Sequence, residues 1–380
     1  MASKLTKPGL LKNVVQRSYG AQAAIQQTSY TLPQHHPQVT SLPSGVVVAS
    51  QENNSPVSRV AVLFKDGGLE LLGEVSTQPS FKTWEMKDNL RRVQTELALR
   101  EPSTLALEML HKAAFRNTGL ANSIFVSDFR LGKLSSDMLK DYVAQTHQAG
   151  RMVVVGLGVD HSALVNYAKG LSVGAGDGPA GASVYGGGEL RHESDAPISV
   201  IAVAGSGASL GSSDAAALAV AQHILGVGPS VKYGSNASSA LAKAVAGSGG
   251  SGMASAVNIS YSDAGLFGYF VVAESATADK VVRAAHSAVK GLKLTEAETA
   301  KGKTCVKAAI HMASESSGEC LADMGLQALL LGKYNDPVAA AAAIDAVTPS
   351  AVDAALRKVF SGKLSMSVLG NANIGYLDQL

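Results

Sequence analysis

The chain has 380 residues, 46% hydrophobic and 16% charged, with a formal net charge of +2. That length supports two cores of moderate size, while an aromatic fraction of only 5% and the lack of a basic stripe exclude a stacking or charge-driven nucleic-acid platform. No apolar run reads as a transmembrane span or a secretory signal, so a soluble or membrane-peripheral chain is expected.

Residues 1–51 contain no Asp or Glu, while Lys4, Lys7, Lys12 and Arg17 accompany Leu11, Val14 and Val15 at helical spacing. This pattern predicts a mitochondrial transit peptide over residues 1–19, cut after Tyr19 in Arg17-Ser18-Tyr19; a disordered basic tail would share the composition. Loss of those four cationic side chains takes the net charge from +2 to −2. The basic balance therefore belongs to the targeting segment and says little about an anionic partner.

Gln22 to Pro43 reads as an extended lead-in. Gly45 to Ser50 and Arg59 to Lys65 alternate as a pair of strands, followed by helices over Phe81 to Arg100 and Leu105 to Phe115, a loop through Asn122, helix Asp137 to His147 and strand Arg151 to Val155. Seven glycines within Gly174 to Gly188 mark a linker. Beyond it come strand Ile198 to Ala204, helix Asp214 to Leu225, a loop Gly226 to Asn236, helix Ser238 to Ala246 and a hairpin of Ser255 to Ser262 with Gly265 to Glu274. Thr295 and Glu298 form a capping box that opens a helix to about Ala313. Thr348-Pro349 opens the last helix. Elements arriving in blocks predict an α+β fold. Cys305 and Cys320 form no CxxC and are expected as buried or half-buried free thiols.

The second half repeats the first. At an offset of 213, Phe81, Leu139, Val143 and His147 fall on Leu294, Val352, Leu356 and Phe360; at 214, Met152, Val154 and Gly156 fall on Met366, Val368 and Gly370. The run Ile198 to Gly207 is separated from Leu294 by the long stretch Ala208 to Lys293, its counterpart Arg59 to Gly67 from Phe81 only by Gly68 to Ser80. These stretches number 86 and 13, a shortfall of 73 in the first copy, which lacks equivalents of helix Asp214 to Gly226 and of the hairpin. The expected organisation is a transit peptide at 1–19, an N-terminal half-domain at 20–173 with a segment missing after residue 68, a Gly-rich linker at 174–188 and a C-terminal half-domain at 189–380.

Candidate chemistry is sparse. An inverted zinc site needs H-x-x-E-H, two imidazoles one helical turn apart with a glutamate to activate water. The histidines at 35, 36, 111, 147, 161, 192, 223, 286 and 311 never fall three to five apart. Gly205 to Gly211 reads GxGxxxG, and no acidic residue between Ala215 and Ser262 can bind a ribose, so a dinucleotide site is not expected. There is no phosphate-loop GK[ST] and no GxSxG elbow. Catalytic, cofactor-binding and metal residues are all expected to be none.

Gly226 to Asn236 (GVGPSVKYGSN), Asn258 to Gly268 (NISYSDAGLFG), Phe129 to Lys133 (FRLGK), Gly156 to Val159 (GLGV), Gly186 to Arg191 (GGGELR), Ser314 to Cys320 and Gln327 to Leu329 together resemble the mitochondrial processing-peptidase superfamily of inverted-zinc-motif proteases, in its branch of respiratory complex III core subunits. The resemblance implies two processing-peptidase-like α+β half-domains in pseudo-twofold relation. It further implies a non-catalytic structural and assembly subunit of ubiquinol-cytochrome c reductase with no cofactor and no small-molecule substrate. Its expected partners are core protein 1 and the other complex III subunits, on the matrix side of the mitochondrial inner membrane. A processing-peptidase-like subunit that binds presequences without a zinc site is the alternative. Relative to that family a segment of about 70 is missing between Gly68 and Leu69, as in a splice form that skips an internal piece. Strands Gly45 to Ser50 and Arg59 to Lys65 are then expected to lose sheet partners and expose edges.

Overall fold

Two mixed β-sheets carry the fold, and each is covered on one face by a helix from the other half of the chain. The computed structural model describes residues 36–51, 59–60, 68–177, 181–228, 238–371 and 373–380, with Pro37–Leu380 forming one unit. The expected transit peptide, most of the lead-in and residues 61–65 of the expected second strand lie outside the described residues.

The first sheet contains β1 (Gln38–Ser41), β2 (Val47–Gln51), β3 (Arg59–Val60) and β4 (Val153–Leu157) in the order β1-β2-β4-β3. β2 and β3 are therefore not partners of one another, contrary to the expected pair. β4 lies between them, parallel to β2 with Val48 opposite Val154 and antiparallel to β3 with Arg59 opposite Leu157. The reason is in the sequence of β4: Val153-Val154-Val155 is apolar on both faces, so both faces must be covered and the strand takes a central place.

The second sheet contains β5 (Gly188–His192), β6 (Ile198–Ser206), β7 (Gly252–Ser260), β8 (Gly265–Glu274) and β9 (Leu364–Leu369) in the order β5-β9-β6-β8-β7. β9 repeats the position of β4, with a parallel neighbour in β5 and an antiparallel one in β6. Outside β6 the hairpin β8-β7 extends the sheet. Outside β3 the first sheet has no further strand among the described residues.

The first half carries helices α1 (Gly68–Thr77), α2 (Thr83–Ala98), α3 (Pro102–Phe115), α4 (Ser136–Thr146) and α5 (His161–Gly170). The second carries α6 (Asp214–Leu225), α7 (Ala240–Gly247), α8 (Ala278–Lys290), α9 (Glu296–Glu315), α10 (Ser317–Leu331), α11 (Pro337–Asp345) and α12 (Pro349–Ser361). Of these, α1, α5, α8 and α11 were not anticipated from sequence. The repeat offset read from the sequence also separates the starts of α2 and α9 and of α4 and α12. The local start signals are realised: Thr295 accepts from the Glu298 amide at 3.2 Å while Glu298 reaches the Thr295 amide at 3.1 Å, and Thr348 accepts from the Ala351 amide.

β6 shows how strand periodicity builds layers. Ile201 and Val203 face α6, α8 and α12, sharing a core with Phe267, Tyr269, Val282 and Val352. Val200, Ala202 and Ala204 face the opposite way, against α3, where Ala106, Leu110 and Ala114 pack. Small side chains on both surfaces let α3 approach closely enough for the Ser367 hydroxyl to donate to the Ala106 carbonyl at 2.7 Å. The counterpart of α3 is α10, which lies on the first sheet with Met324 and Ala328 against Ala49, Val155 and Leu157. α5 covers the other face of that sheet through Leu164 and Ala168. The two halves thus exchange one helix each.

Candidate functional site

His111, His161, His223 and His286 are engaged in local ties. His161 is held between hydroxyls, its Nε2 at 2.8 Å from Thr40 Oγ1 and its Nδ1 at 2.8 Å from Ser50 Oγ, which pins β1 and β2 to the start of α5. His223 Nδ1–H donates to the Ala219 carbonyl one turn back on α6. His286 on α8 is buried against Tyr269, its Nδ1 hydrogen-bonded to the tyrosine hydroxyl at 2.9 Å. Burial, aided by nearby Lys290, pushes its pKa down to about 4, so the imidazole is neutral at physiological pH. Among the described residues no three His, Cys, Asp or Glu side chains converge as a metal site. Cys320 is half-buried with its thiol pushed up by burial, whereas Cys305 is exposed on α9, contrary to the expectation that both thiols are covered. The long helix α9 presents only a narrow stripe to its neighbours, and Cys305 lies off it.

Two of the runs singled out in the sequence, GGGELR and NISYSDAGLFG, meet at the seam where α3 docks on the second sheet. Gly186 and Gly187 donate their amides to the Ala114 carbonyl at 2.7 and 3.2 Å, and Arg116 Nε returns a bond to the Gly187 carbonyl at 2.9 Å. The glycine run thereby satisfies the Ala114 carbonyl, one of those that α3 leaves open at its C-terminus. Gly187 sits at φ +69°, and a Cβ on Gly188 would lie 3.2 Å from the Ala113 carbonyl oxygen, so the backbone conformation and the close approach both call for glycine.

The hairpin motif closes the seam from the other side. Tyr261, in the β7–β8 turn, is 2.7 Å from His111 Nε2 on α3. The His111 Nδ1–H is spent on the Leu107 carbonyl at 2.7 Å, so Nε2 is the acceptor and the tyrosine donates. Burial raises the Tyr261 pKa, which keeps that proton in place. Asp263 in the same turn accepts from the Ser183 amide at 2.7 Å, holding the linker. With a carbonyl rather than a carboxylate behind the imidazole, this is a structural tie with no activated nucleophile.

The glycine motif Gly205 to Gly211 is packing rather than phosphate binding. Gly207 N–H donates to the Gly265 carbonyl at 2.8 Å, and a Cβ on Gly265 would overlap the Ala208 carbonyl. Of Gly226 to Asn236, residues 229–236 lie outside the described residues. The partnership of His111 with Tyr261 was not legible in the sequence; a tyrosine set in a tight hairpin turn was the signal available.

A mixed sheet flanked by helices, present twice in the chain, is a peptidase M16-like fold. Residues 133–304 match the family model described as "Peptidase M16 inactive domain". The chain belongs to the family of subunit 2 of the mitochondrial cytochrome b-c1 complex. It is 33% identical to the rat (Rattus norvegicus) cytochrome b-c1 complex subunit 2 over 415 residues, covering 90% of this chain and 91% of the rat chain. It is likewise 33% identical to the human (Homo sapiens) protein over 416 residues, with the same coverage. A chain in the structure titled "Complex III2 from Candida albicans, Inz-5 bound" superposes with a TM-score of 0.77 at 19% identity, over 88% of this chain and 96% of that one. In the rat alignment, 90% of 380 residues is about 342, so about 73 of the 415 positions have no residue from this chain.

Proposed function

We propose that this chain is a non-catalytic core subunit of mitochondrial ubiquinol-cytochrome c reductase, with a structural and assembly role in electron transport. The observation that carries the reading is the 33% identity that extends over nine-tenths of both chains. The seam supports it: the family-like runs GGGELR and NISYSDAGLFG are used to dock α3, not to bind a cofactor. On this reading core protein 1 and other complex III subunits are its partners, and it sits peripherally on the matrix side of the inner membrane. No single helix among the described residues is long and apolar enough to cross a membrane, in keeping with that position.

We further propose the organisation into a transit peptide at 1–19, half-domains at 20–173 and 189–380 joined by the linker 174–188, and a segment absent after residue 68. The shortfall of about 73 aligned positions supports the last point. Two measurements test the proposal. On native gels of mitochondria the protein should co-migrate with complex III; migration only as a free chain would overturn it. Mass spectrometry of the mature protein should place the N-terminus at or within a few residues of Gly20, whereas retention of Met1 or Ala2 would remove the transit peptide from the account.

A further inference from the structure

The second half provides an internal template for what the first half leaves uncovered. On α9 the buried residues are Thr299, Gly302 and Val306. This stripe receives α6: a Cβ on Gly302 would lie 2.7 Å from Ile224 Cγ1 and 3.2 Å from Val220 Cγ1. Ile344 of α11 and Val347 belong to the same core as Leu218, Val220 and Ala221 of α6.

Carried back by the repeat offset, those positions are Met86, Asn89, Val93, Leu131 and Leu134. All five line one groove of about 370 Å³, with Leu90 between them. Their second-half equivalents Val306, Ile344 and Val347 are 5%, 6% and 9% exposed, whereas Val93, Leu131 and Leu134 are only half-buried. Leu97 is the one buried residue of α2. Among the described residues no helix occupies the place on α2 that α6 occupies on α9. Lys87 is the sole charged residue among those described as lining the groove.

We infer that this groove is a docking site for a helix supplied by another chain, with the chemistry of α6. Such a helix has about three turns, is nearly uncharged along the seam, and presents a Val and Ile stripe like Val220 and Ile224 of α6. The length follows from α6, whose 12 residues carry buried Ala217, Leu218, Val220, Ala221 and Leu225 and a single acidic residue, Asp214. The low charge follows from the groove itself, because an unpaired carboxylate facing Met86, Leu90 and Val93 would be buried without a partner. The inference does not depend on membership of a respiratory complex, since it rests on the internal repeat.

The sole tryptophan, Trp84, stands 60% exposed on α2 beside the groove and reports on its occupancy. The experiment titrates the full chain with a synthetic peptide of residues 212–227, following Trp84 emission. The expected result is a saturable blue shift, with affinity reduced at least tenfold by Leu90→Glu and by Asn89→Phe. Asn89 is exposed, so the second variant fills the groove without touching a core; thermal melts establish that both variants fold. Absence of a shift, or binding indifferent to both substitutions, would overturn the proposal. A blue shift that grows with protein concentration and no peptide, together with dimers in sedimentation, would also overturn it by assigning the groove to a second copy.

Discussion

At the scale of single residues, fixed protonation states and missing side chains do much of the structural work. His286 is neutral in the fold because burial lowers its pKa to about 4, while in the unfolded chain it titrates near 6.5. A lowered histidine pKa means that the unfolded state binds the proton first. Stability is therefore full above pH 6.5 and falls as the pH drops towards 4. Thermal melts of the wild type should show this slope, and His286→Phe should flatten it, leaving only the carboxylate contributions. Glycines act through close approach. Gly268 on β8 faces β6 so tightly that a Cβ would overlap the Val203 carbonyl oxygen. Gly268→Ala should cost about 3 kcal/mol or more, read as a lowered denaturant midpoint, because backbone on both sides has no room to yield. A midpoint close to that of the wild type would mean that the strands separate more easily than this packing implies.

At the scale of elements, the exchange of α3 and α10 makes each sheet depend on residues distant in sequence. Leu110 is 1% exposed and Met324 is fully buried. Truncating either to alanine should cost roughly 2–5 kcal/mol. The location of the damage is the sharper test. Met324→Ala should raise amide exchange in β2 and β4, far from it along the chain, and spare β6 and β8; Leu110→Ala should do the reverse. Exchange confined to the mutated helix would show that the helices do not brace the opposite sheets. The Tyr261–His111 bond belongs to the same seam: Tyr261→Phe should cost about 1 kcal/mol, since one half-buried acceptor loses its donor.

At the scale of the whole molecule, the two sheets are unequally supported. The second has five strands with helices on both faces, whereas the first, among the described residues, ends at the short β3. Amides of the first half should accordingly exchange faster, and limited proteolysis should cut first within Lys65 to Lys87 or Gly174 to Gly188. Because α3 stays on the second sheet and α10 on the first, a chain nicked in the linker should still elute as one particle on gel filtration. Prompt separation of the fragments, or survival of residues 21–170 while the second half is digested, would contradict this account.

Local and repetitive information was legible in the sequence. The caps at Thr295 and Thr348, the hairpin and the duplication all depend on near-neighbour chemistry or simple counting; the caps and the strand Gly265 to Glu274 stand where they were read, while the first hairpin strand runs from Gly252 to Ser260 rather than Ser255 to Ser262. Partner choice was not legible. Strand alternation told which residues of β2 and β4 share a face but not that β4 inserts between β2 and β3, because sheet order depends on which apolar strand must be covered on both sides. The amphipathic character of α3 and α10 likewise says that each must bury a face, without saying on which sheet. The groove on α2 follows from the repeat and the fold together. Nothing in the sequence sets Met86, Val93, Leu131 and Leu134 apart, and only the fold reveals that no helix among the described residues of this half covers them as α6 covers their counterparts.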